Sequence, residues 1–270
     1  MMRQLKRAFV MAILAMVWPA AAQPGSAEAT LECLQKNVPT EWAGLIEVRT
    51  RQADGNTELR RIAYATRERG RKSDADHWVR MLAPDSLAGV VYLFQQRDPG
   101  WSRWTYLPAL KRVSQVKSQG TSAAALEEII GVRDVDALMR WPEGAAITLG
   151  EQREQGGRQV RPIHATRRVG TGAAAGFERM RGVMDVERCV VLEAEWADRD
   201  GRETRSAKVD PASVRQFGAH WLPQRIDVRQ VDGVSAQLRL QRAVIAPRFP
   251  SETFDTRRFH TVAPAALGLE

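Results

Sequence analysis

The side chains that most often carry chemistry are few and scattered in this sequence. The chain has no HxxxH, HExxH or CxxH arrangement that would place two metal ligands together. It also lacks a GxSxG nucleophile elbow and a glycine-rich phosphate loop ahead of a helix. The paired acids at 127–128 and at 134 and 136 fall on predicted helices, where water-facing carboxylates form an ordinary polar face. We therefore predict a protein that is not an enzyme and has no metal or cofactor. The isolated histidines are His77, His164, His220 and His260.

Two cysteines, Cys33 and Cys189, are the remaining reactive groups. In an oxidising compartment they can pair, and a bridge closing so long a loop stabilises by about 4 to 5 kcal/mol on the chain-entropy model. The alternative is two buried free thiols. Neither cysteine belongs to a CxxC motif, so the sequence does not indicate a redox enzyme.

Aromatic residues give a more specific signal. Trp104 and Tyr106 share one face of a predicted strand, because side chains alternate with a period of two. Tyr92 and Phe94 share one face of the preceding strand, across a Pro-Gly turn. An ordinary core accounts for them. The more specific interpretation is that all four line a cavity for an apolar ligand, because a wide curled sheet cannot fill its concave side alone.

The first residues predict export from the cytoplasm. Arg3, Lys6 and Arg7 precede the apolar run at 8–18, and small residues follow, which is the pattern of a signal peptide cleaved after Ala22. A membrane anchor is the alternative, but the run is shorter than the roughly twenty apolar residues that a bilayer requires. We therefore predict a periplasmic protein.

Residues 23–270 are predicted to form one domain with a mild positive charge. Removing residues 1–22 removes three of 40 basic residues and none of 32 acidic ones, which leaves 37 minus 32, or +5. The basic residues alternate with apolar ones and no nucleic-acid-binding module is present, so we predict no nucleic-acid partner.

Turn signals predict a mainly β fold. Asp-Gly, Pro-Gly and Gly-Gly pairs each separate two runs of alternating apolar and polar residues, the mark of a β-hairpin. Helical spacing is confined to 29–37, 122–130 and 134–141. Because so wide a sheet must curl, we predict a curled antiparallel half-barrel with helices plugging its concave face. The predicted hairpins are 43–68, 87–107, 145–168, 188–209 and 219–245.

One stretch resembles a known family. The sequence MLAPDSLAGVVYLFQQRDPGWSRWTYLPALKRV at 81–113 is similar to the periplasmic outer-membrane lipoprotein-sorting proteins, relatives of the LolA and LolB carriers. Their P-x-x-x-x-G-x-x-x-L strand corresponds to Pro84, Gly89 and Leu93, and their W-x-Y-L-P-A-L-K-R-V string to 104–113. The family's next segment, G-S-D-F-x-x-E-D, is replaced here at 120–128 by GTSAAALEE, so the role of its Asp-Phe pair cannot be transferred.

The resemblance implies a LolA-like half-barrel whose apolar cavity holds the acyl chains of a lipid or lipoprotein during transfer between inner and outer membranes. It also implies transient membrane contact, a monomer and, as donor, an inner-membrane transporter of the resistance-nodulation-division (RND) type. Lys111 and Arg112 would lie at a rim and meet headgroups or an acidic partner; otherwise they only solubilise a strand edge. The apolar underside of a helical lid would comprise Ile129, Ile130, Leu138 and Met139.

Two other functions remain open at this stage. A periplasmic lipid-sensing regulator that binds an anti-sigma factor has a related half-barrel, but such proteins usually carry a further C-terminal domain, whereas this chain is expected to end with its sheet. A structural envelope protein with a filled core is the other.

Overall fold

The computed structural model describes residues 26–97, 100–119, 145–167 and 179–270. The predicted signal peptide lies outside these residues. So do both predicted helices at 122–130 and 134–141, including the four apolar side chains assigned to a lid.

A 14-stranded antiparallel sheet dominates the described part of the chain, with β13 and β14 forming a separate pair. The strand order is β6-β5-β4-β3-β2-β1-β16-β15-β12-β11-β10-β9-β7, and β8 pairs with β9. Because β6 and β7 end this order without pairing to each other, the sheet is open, which confirms the predicted half-barrel class. The strands are β1 (Glu41–Arg51), β2 (Thr57–Arg69), β3 (Arg71–Ala83), β4 (Val91–Arg97), β5 (Gly100–Leu107), β6 (Arg112–Gln119), β7 (Ala145–Leu149), β8 (Arg153–Gln155), β9 (Arg158–Arg167), β10 (Arg179–Asp185), β11 (Val190–Ala197), β12 (Glu203–Val209), β13 (Val214–Phe217), β14 (His220–Pro223), β15 (Arg225–Gln230) and β16 (Ser235–Ile245).

The first predicted helix is confirmed as α1 (Ala27–Lys36). It begins where the Ser26 side chain accepts a hydrogen bond from the Ala29 amide at 3.1 Å, a standard N-cap. Leu34 is buried in the core of the β7–β16 half, and Leu31 packs against the same cluster. Helix α1 therefore lies over one face of the sheet.

We call this side of the sheet the helix face. It continues into the β1–β6 half, because Ile46 of β1 packs against both the core beneath α1 and the cluster around Ile62 and Phe94. The opposite side of the β1–β6 half holds a different cluster, which includes Trp78 and Leu93.

That opposite side, the tail face, is covered by residues 246–270, which we call the tail. Phe254, Phe259 and Leu267 of the tail are buried against it. The Trp78 indole donates a hydrogen bond to the Phe259 carbonyl at 2.9 Å, and Arg80 donates to the Val262 carbonyl at 2.6 Å. The expectation that the chain ends with its sheet is therefore wrong. The last 25 residues (246 to 270) follow β16 and pack over the tail face of the β1–β6 half.

Candidate functional site

Aromatic side chains follow one another across the helix face of the β1–β6 half. Trp42 and Tyr64 have ring centroids 5.1 Å apart, and Phe94 lies 5.9 Å from Trp101 and 6.5 Å from Tyr92. Phe94 is fully buried, but the other four are only half-buried. The strands therefore present an apolar surface that the described residues leave partly accessible.

A small polar group interrupts this surface. Nδ1 of His77 lies 2.8 Å from the Tyr64 hydroxyl and 3.0 Å from the Thr66 hydroxyl. Thr66 is completely buried, so the hydroxyl–imidazole contacts satisfy polar groups that would be costly to bury alone. The group is well placed to hold the rings of Tyr64 and His77, which stack at 6.1 Å.

The helix face of the β7–β16 half is more completely filled. Met180 and Trp196 are 1 % exposed and belong to the core beneath α1. A cleft of about 290 Å³ lies on the opposite side of these strands, where Arg181 of β10 pairs in register with His164 of β9 and Glu195 of β11 and all three are exposed. The Nε1 of Trp196, a residue that lines the cleft, is buried without a hydrogen-bond partner in the described structure. The lining residues are His164, Ala165, Thr166, Arg179, Met180, Arg181, Glu195, Trp196, Ala197, Gly201 and Glu203.

The four aromatics predicted to line one cavity are divided between the two faces. Tyr92 and Phe94 lie on the helix face, whereas Trp104 and Tyr106 lie on the tail face. The register is the reason, since Leu93 pairs with Trp104 and Val91 with Tyr106. Tyr106 stacks on His260 of the tail at 4.3 Å. The prediction that all four line one cavity is therefore wrong, and no single ligand can contact them all.

Sequence reasoning missed the partners that replace Trp104 and Tyr106 on the helix face. Trp42, Tyr64 and Trp101 occupy that side with Tyr92 and Phe94. Alternation alone places Trp101 on the face opposite Trp104, because the two are three positions apart, an odd number. What the sequence does not state is which of the two faces the tail covers.

The predicted rim residues are exposed at the turn between β5 and β6. Pro108 opens a 3₁₀ turn over Pro108–Leu110, and Lys111 follows with φ of 47° before Arg112 starts β6. Leu107, the last residue of β5, pairs with Arg112, the first of β6, so the two strands form a hairpin around this turn. Leu110, beside these cations, is 65 % exposed. A role at a rim stays a prediction.

Helix α1 is tied to the sheet by a covalent bond. Cys33 and Cys189 form a disulfide across 156 residues, so the pairing alternative is confirmed. Beside it, the Asn37 amide donates to the Cys189 and Trp221 carbonyls at 3.1 and 2.8 Å, and its oxygen accepts from the Trp221 amide at 2.6 Å. Helix α1 is therefore a fixed wall of the helix face.

The strongest electrostatic feature lies on the tail face. Asp76 is fully buried and accepts hydrogen bonds from three arginine side chains, at 2.9 Å from Arg67, 2.7 Å from Arg69 and 2.6 Å from Arg97. Burial by itself raises the pKa of Asp76, but the three hydrogen bonds, led by that from Arg97, outweigh it and hold the pKa below its usual value. Arg67 also lies over the Phe254 ring at 4.2 Å, which joins the charge cluster to the tail.

The described residues contain no group of three or more His, Cys, Asp and Glu side chains placed to hold a metal ion. In the same residues, no helix has the length and apolar character needed to cross a membrane.

An open antiparallel sheet with a helix over one face is the architecture of LolA-like half-barrels, and solved structures of that class share the fold of this chain. A putative outer membrane lipoprotein-sorting protein domain from Vibrio parahaemolyticus is 16% identical, with a TM-score of 0.61, over 87% of this chain and 100% of that one. A LolA superfamily protein from Nitrosomonas europaea is 14% identical with a TM-score of 0.58, over 84% and 96%. A DUF1329 family protein from Desulfovibrio piger is 14% identical with a TM-score of 0.66, also over 84% and 96%. These likenesses confirm the resemblance at the level of the fold.

A family model described as "Uncharacterized protein"-like matches residues 73–261, which is 189 of 270 residues, and the chain belongs to that family. No curated protein matches its sequence.

Proposed function

We propose that this protein is a periplasmic carrier that binds the acyl or other apolar chains of a lipid or lipoprotein on the helix face and transfers them between the inner and outer membranes. The observation that carries the proposal is the half-buried aromatic surface formed by Trp42, Tyr64, Tyr92 and Trp101 around Phe94. The fold shared with lipoprotein-sorting domains supports it.

The energetics suit such a role. Each methylene that leaves a membrane for water costs about 0.8 kcal/mol, so a chain of about fifteen methylenes faces a barrier on the order of 12 kcal/mol. An apolar protein surface of comparable area removes most of this barrier without any covalent chemistry. Binding and release then require two protein states with different affinities for the cargo.

The other components of the proposal come from the sequence. The segment carrying Ile129, Ile130, Leu138 and Met139 is the proposed lid, while Lys111 and Arg112 are the proposed rim. An inner-membrane RND-type transporter is the proposed donor, and the protein works as a monomer with transient membrane contact. A signal peptide ending at Ala22 delivers it to the periplasm.

Strand β5 provides a matched pair of variants to test the carrier. Protein is purified from a bacterial periplasm, its bound lipid is measured by native mass spectrometry and lipid extraction, and Trp101→Ala is compared with Trp104→Ala. We expect wild type to carry a lipid, Trp101→Ala to lose most of it, and Trp104→Ala to keep it while being less stable. Failure of the wild-type protein to bind any lipid, even after incubation with membrane lipids, would overturn the proposal.

A further inference from the structure

Arg103 is the one charged side chain that β5 places on the aromatic helix face. The register sets it between Phe94 of β4 and Val116 of β6. Trp101, two residues earlier on the same face, contacts Phe94. Arg103 is half-buried, with the rings of Trp101 and Phe94 and the side chain of Val116 as its neighbours.

The Nε of Arg103 is buried and makes no hydrogen bond in the described structure. A buried donor without a partner is destabilising, and more so when the group is charged. The side chains facing it along and across the strands, Trp101, Thr105, Phe94 and Val116, include no carboxylate.

Arginines on the tail face of the same strands differ in this respect. Arg67, Arg69 and Arg97 all bond to Asp76, and Arg80 donates to tail carbonyls. These four arginines are therefore bonded on the side that the tail covers, whereas the Nε of Arg103 has no described partner on the side proposed to hold a ligand.

We propose that Arg103 binds an anionic oxygen group, a phosphate or a carboxylate, on the cargo. This inference rests on the proposed carrier function and names its cargo class: an anionic amphiphile rather than a neutral lipid. A guanidinium presents a planar fork of donors that matches both groups, and its hydrogen bonds to them are strengthened by charge.

The position of Arg103 in the sheet fits such a molecule. Among the described strands, β6 alone separates β5 from the open edge of the sheet, whereas Phe94, Tyr64 and Trp42 lie progressively further inward on β4, β2 and β1. An amphiphile can therefore place its charged group near the edge, over Arg103, and extend its apolar chain inward along the rings. A neutral lipid in the same place would leave the guanidinium unpaired.

The test uses two pairs of ligands with matched acyl chains, in each of which one member is anionic and the other is neutral. Dissociation constants are measured for phosphatidylglycerol against diacylglycerol with the same acyl chains, and for palmitate against methyl palmitate, each delivered from the same detergent. Variants are Arg103→Gln, Arg103→Lys and the control Lys117→Gln. The control removes the same charge from an exposed residue of β6 that faces the tail side.

We expect wild type to bind at least one anionic member about tenfold more tightly than its neutral partner. Arg103→Gln should abolish that ratio without weakening the neutral ligand. Arg103→Lys should retain part of the preference, and Lys117→Gln all of it. Inorganic phosphate is titrated separately: if it binds alone and the Gln variant loses this binding, the site accepts a free anion, whereas a preference seen only with lipids assigns it to a headgroup.

The contrary results separate the two proposals. Equal affinity within both ligand pairs, or a preference that survives Arg103→Gln, overturns the anion site and leaves the carrier function intact. If neither the anionic nor the neutral ligands bind, the carrier function fails, and the anion site fails with it.

Discussion

The two faces of the β1–β6 half are built from the same strands, but they differ in how completely they are covered and in how their charged groups are paired. On the tail face, Trp78 is fully buried, its indole is bonded to the tail, and Asp76 is paired with three arginines. On the helix face, the rings of Trp42 and Trp101 stay half-buried, and the Nε of Arg103 has no hydrogen-bond partner among the described residues. The described residues cover the tail face, and they leave the aromatic surface of the helix face partly accessible.

This difference shows that residues close together in one strand can have different surroundings, because they lie on opposite faces of the sheet. Trp104 packs in the tail-face cluster, while Trp101 contacts Phe94 on the opposite side. The covers differ as well, since α1 is held to the β7–β16 half by a disulfide whereas the tail is held by hydrogen bonds and apolar packing. Variants that remove one attachment at a time can test whether the faces are independent.

Removing the disulfide should have the largest effect. A bridge over a separation of 156 residues contributes about 4 to 5 kcal/mol on the chain-entropy model. We expect the double variant Cys33→Ser, Cys189→Ser to lose about that much free energy of unfolding in urea titration. Reduced wild-type protein is the control and should behave alike. A loss below about 1 kcal/mol would show that Asn37 and Leu34 alone hold α1.

Shortening Phe259 should be the next largest change. Its ring is fully buried against the tail face, so Phe259→Ala is expected to cost about 3–5 kcal/mol in urea unfolding. Detachment of the tail would also uncover Trp78 and increase the binding of a hydrophobic dye. The matched control is Phe249→Ala, which shortens a half-buried ring of the same segment and should cost less. Equal costs for both would contradict a tail anchored at Phe259.

Neutralising Asp76 tests the charge cluster. Asp76→Asn leaves three arginines without their shared carboxylate, and loss of one member of a buried ion pair is strongly destabilising. Because the arginine side chains are 28%, 48% and 39% exposed, water compensates in part, and we expect a loss of about 2–3 kcal/mol. Asp227→Asn, at an exposed pair with Arg225, should change stability by less than about 1 kcal/mol. If Asp76→Asn left the free energy of unfolding unchanged, water would be satisfying the three arginines.

Much of this architecture is predictable from sequence because hairpins and helix ends are local. Asp54-Gly55 and Asp232-Gly233 mark turns between strands that the structure confirms, and Leu31 and Leu34 mark the buried side of α1. The disulfide could be proposed but not decided, because pairing depends on tertiary distance.

The assignment of faces is not local. Alternation correctly groups Trp104 with Tyr106, but the register across the β4–β5 turn decides whether Tyr92 joins them, and a shift of one residue reverses the answer. The tail could not be anticipated either, since residues 246–270 have no strand or helix periodicity, and part of their attachment is through backbone carbonyls that accept from Trp78 and Arg80. From the sequence alone, Arg103 would be taken for an exposed charge, because its burial depends on how the sheet folds.

Lowering the pH should produce the smallest change in the free energy of unfolding. This change depends most directly on the charge cluster around Asp76. Because the folded pKa of Asp76 lies below its unfolded value near 3.9, its pairing stabilises the fold above about pH 4, and that stabilisation is lost as pH falls through the folded pKa. The difference in unfolding free energy between wild type and Asp76→Asn should therefore be constant from about pH 8 to 5 and narrow below about pH 4. Comparing the two proteins cancels every other titrating group they share. Narrowing that began between pH 7 and 5 would mean that burial outweighs the arginines, and the tail face would then contain an unsatisfied charge just as the helix face does.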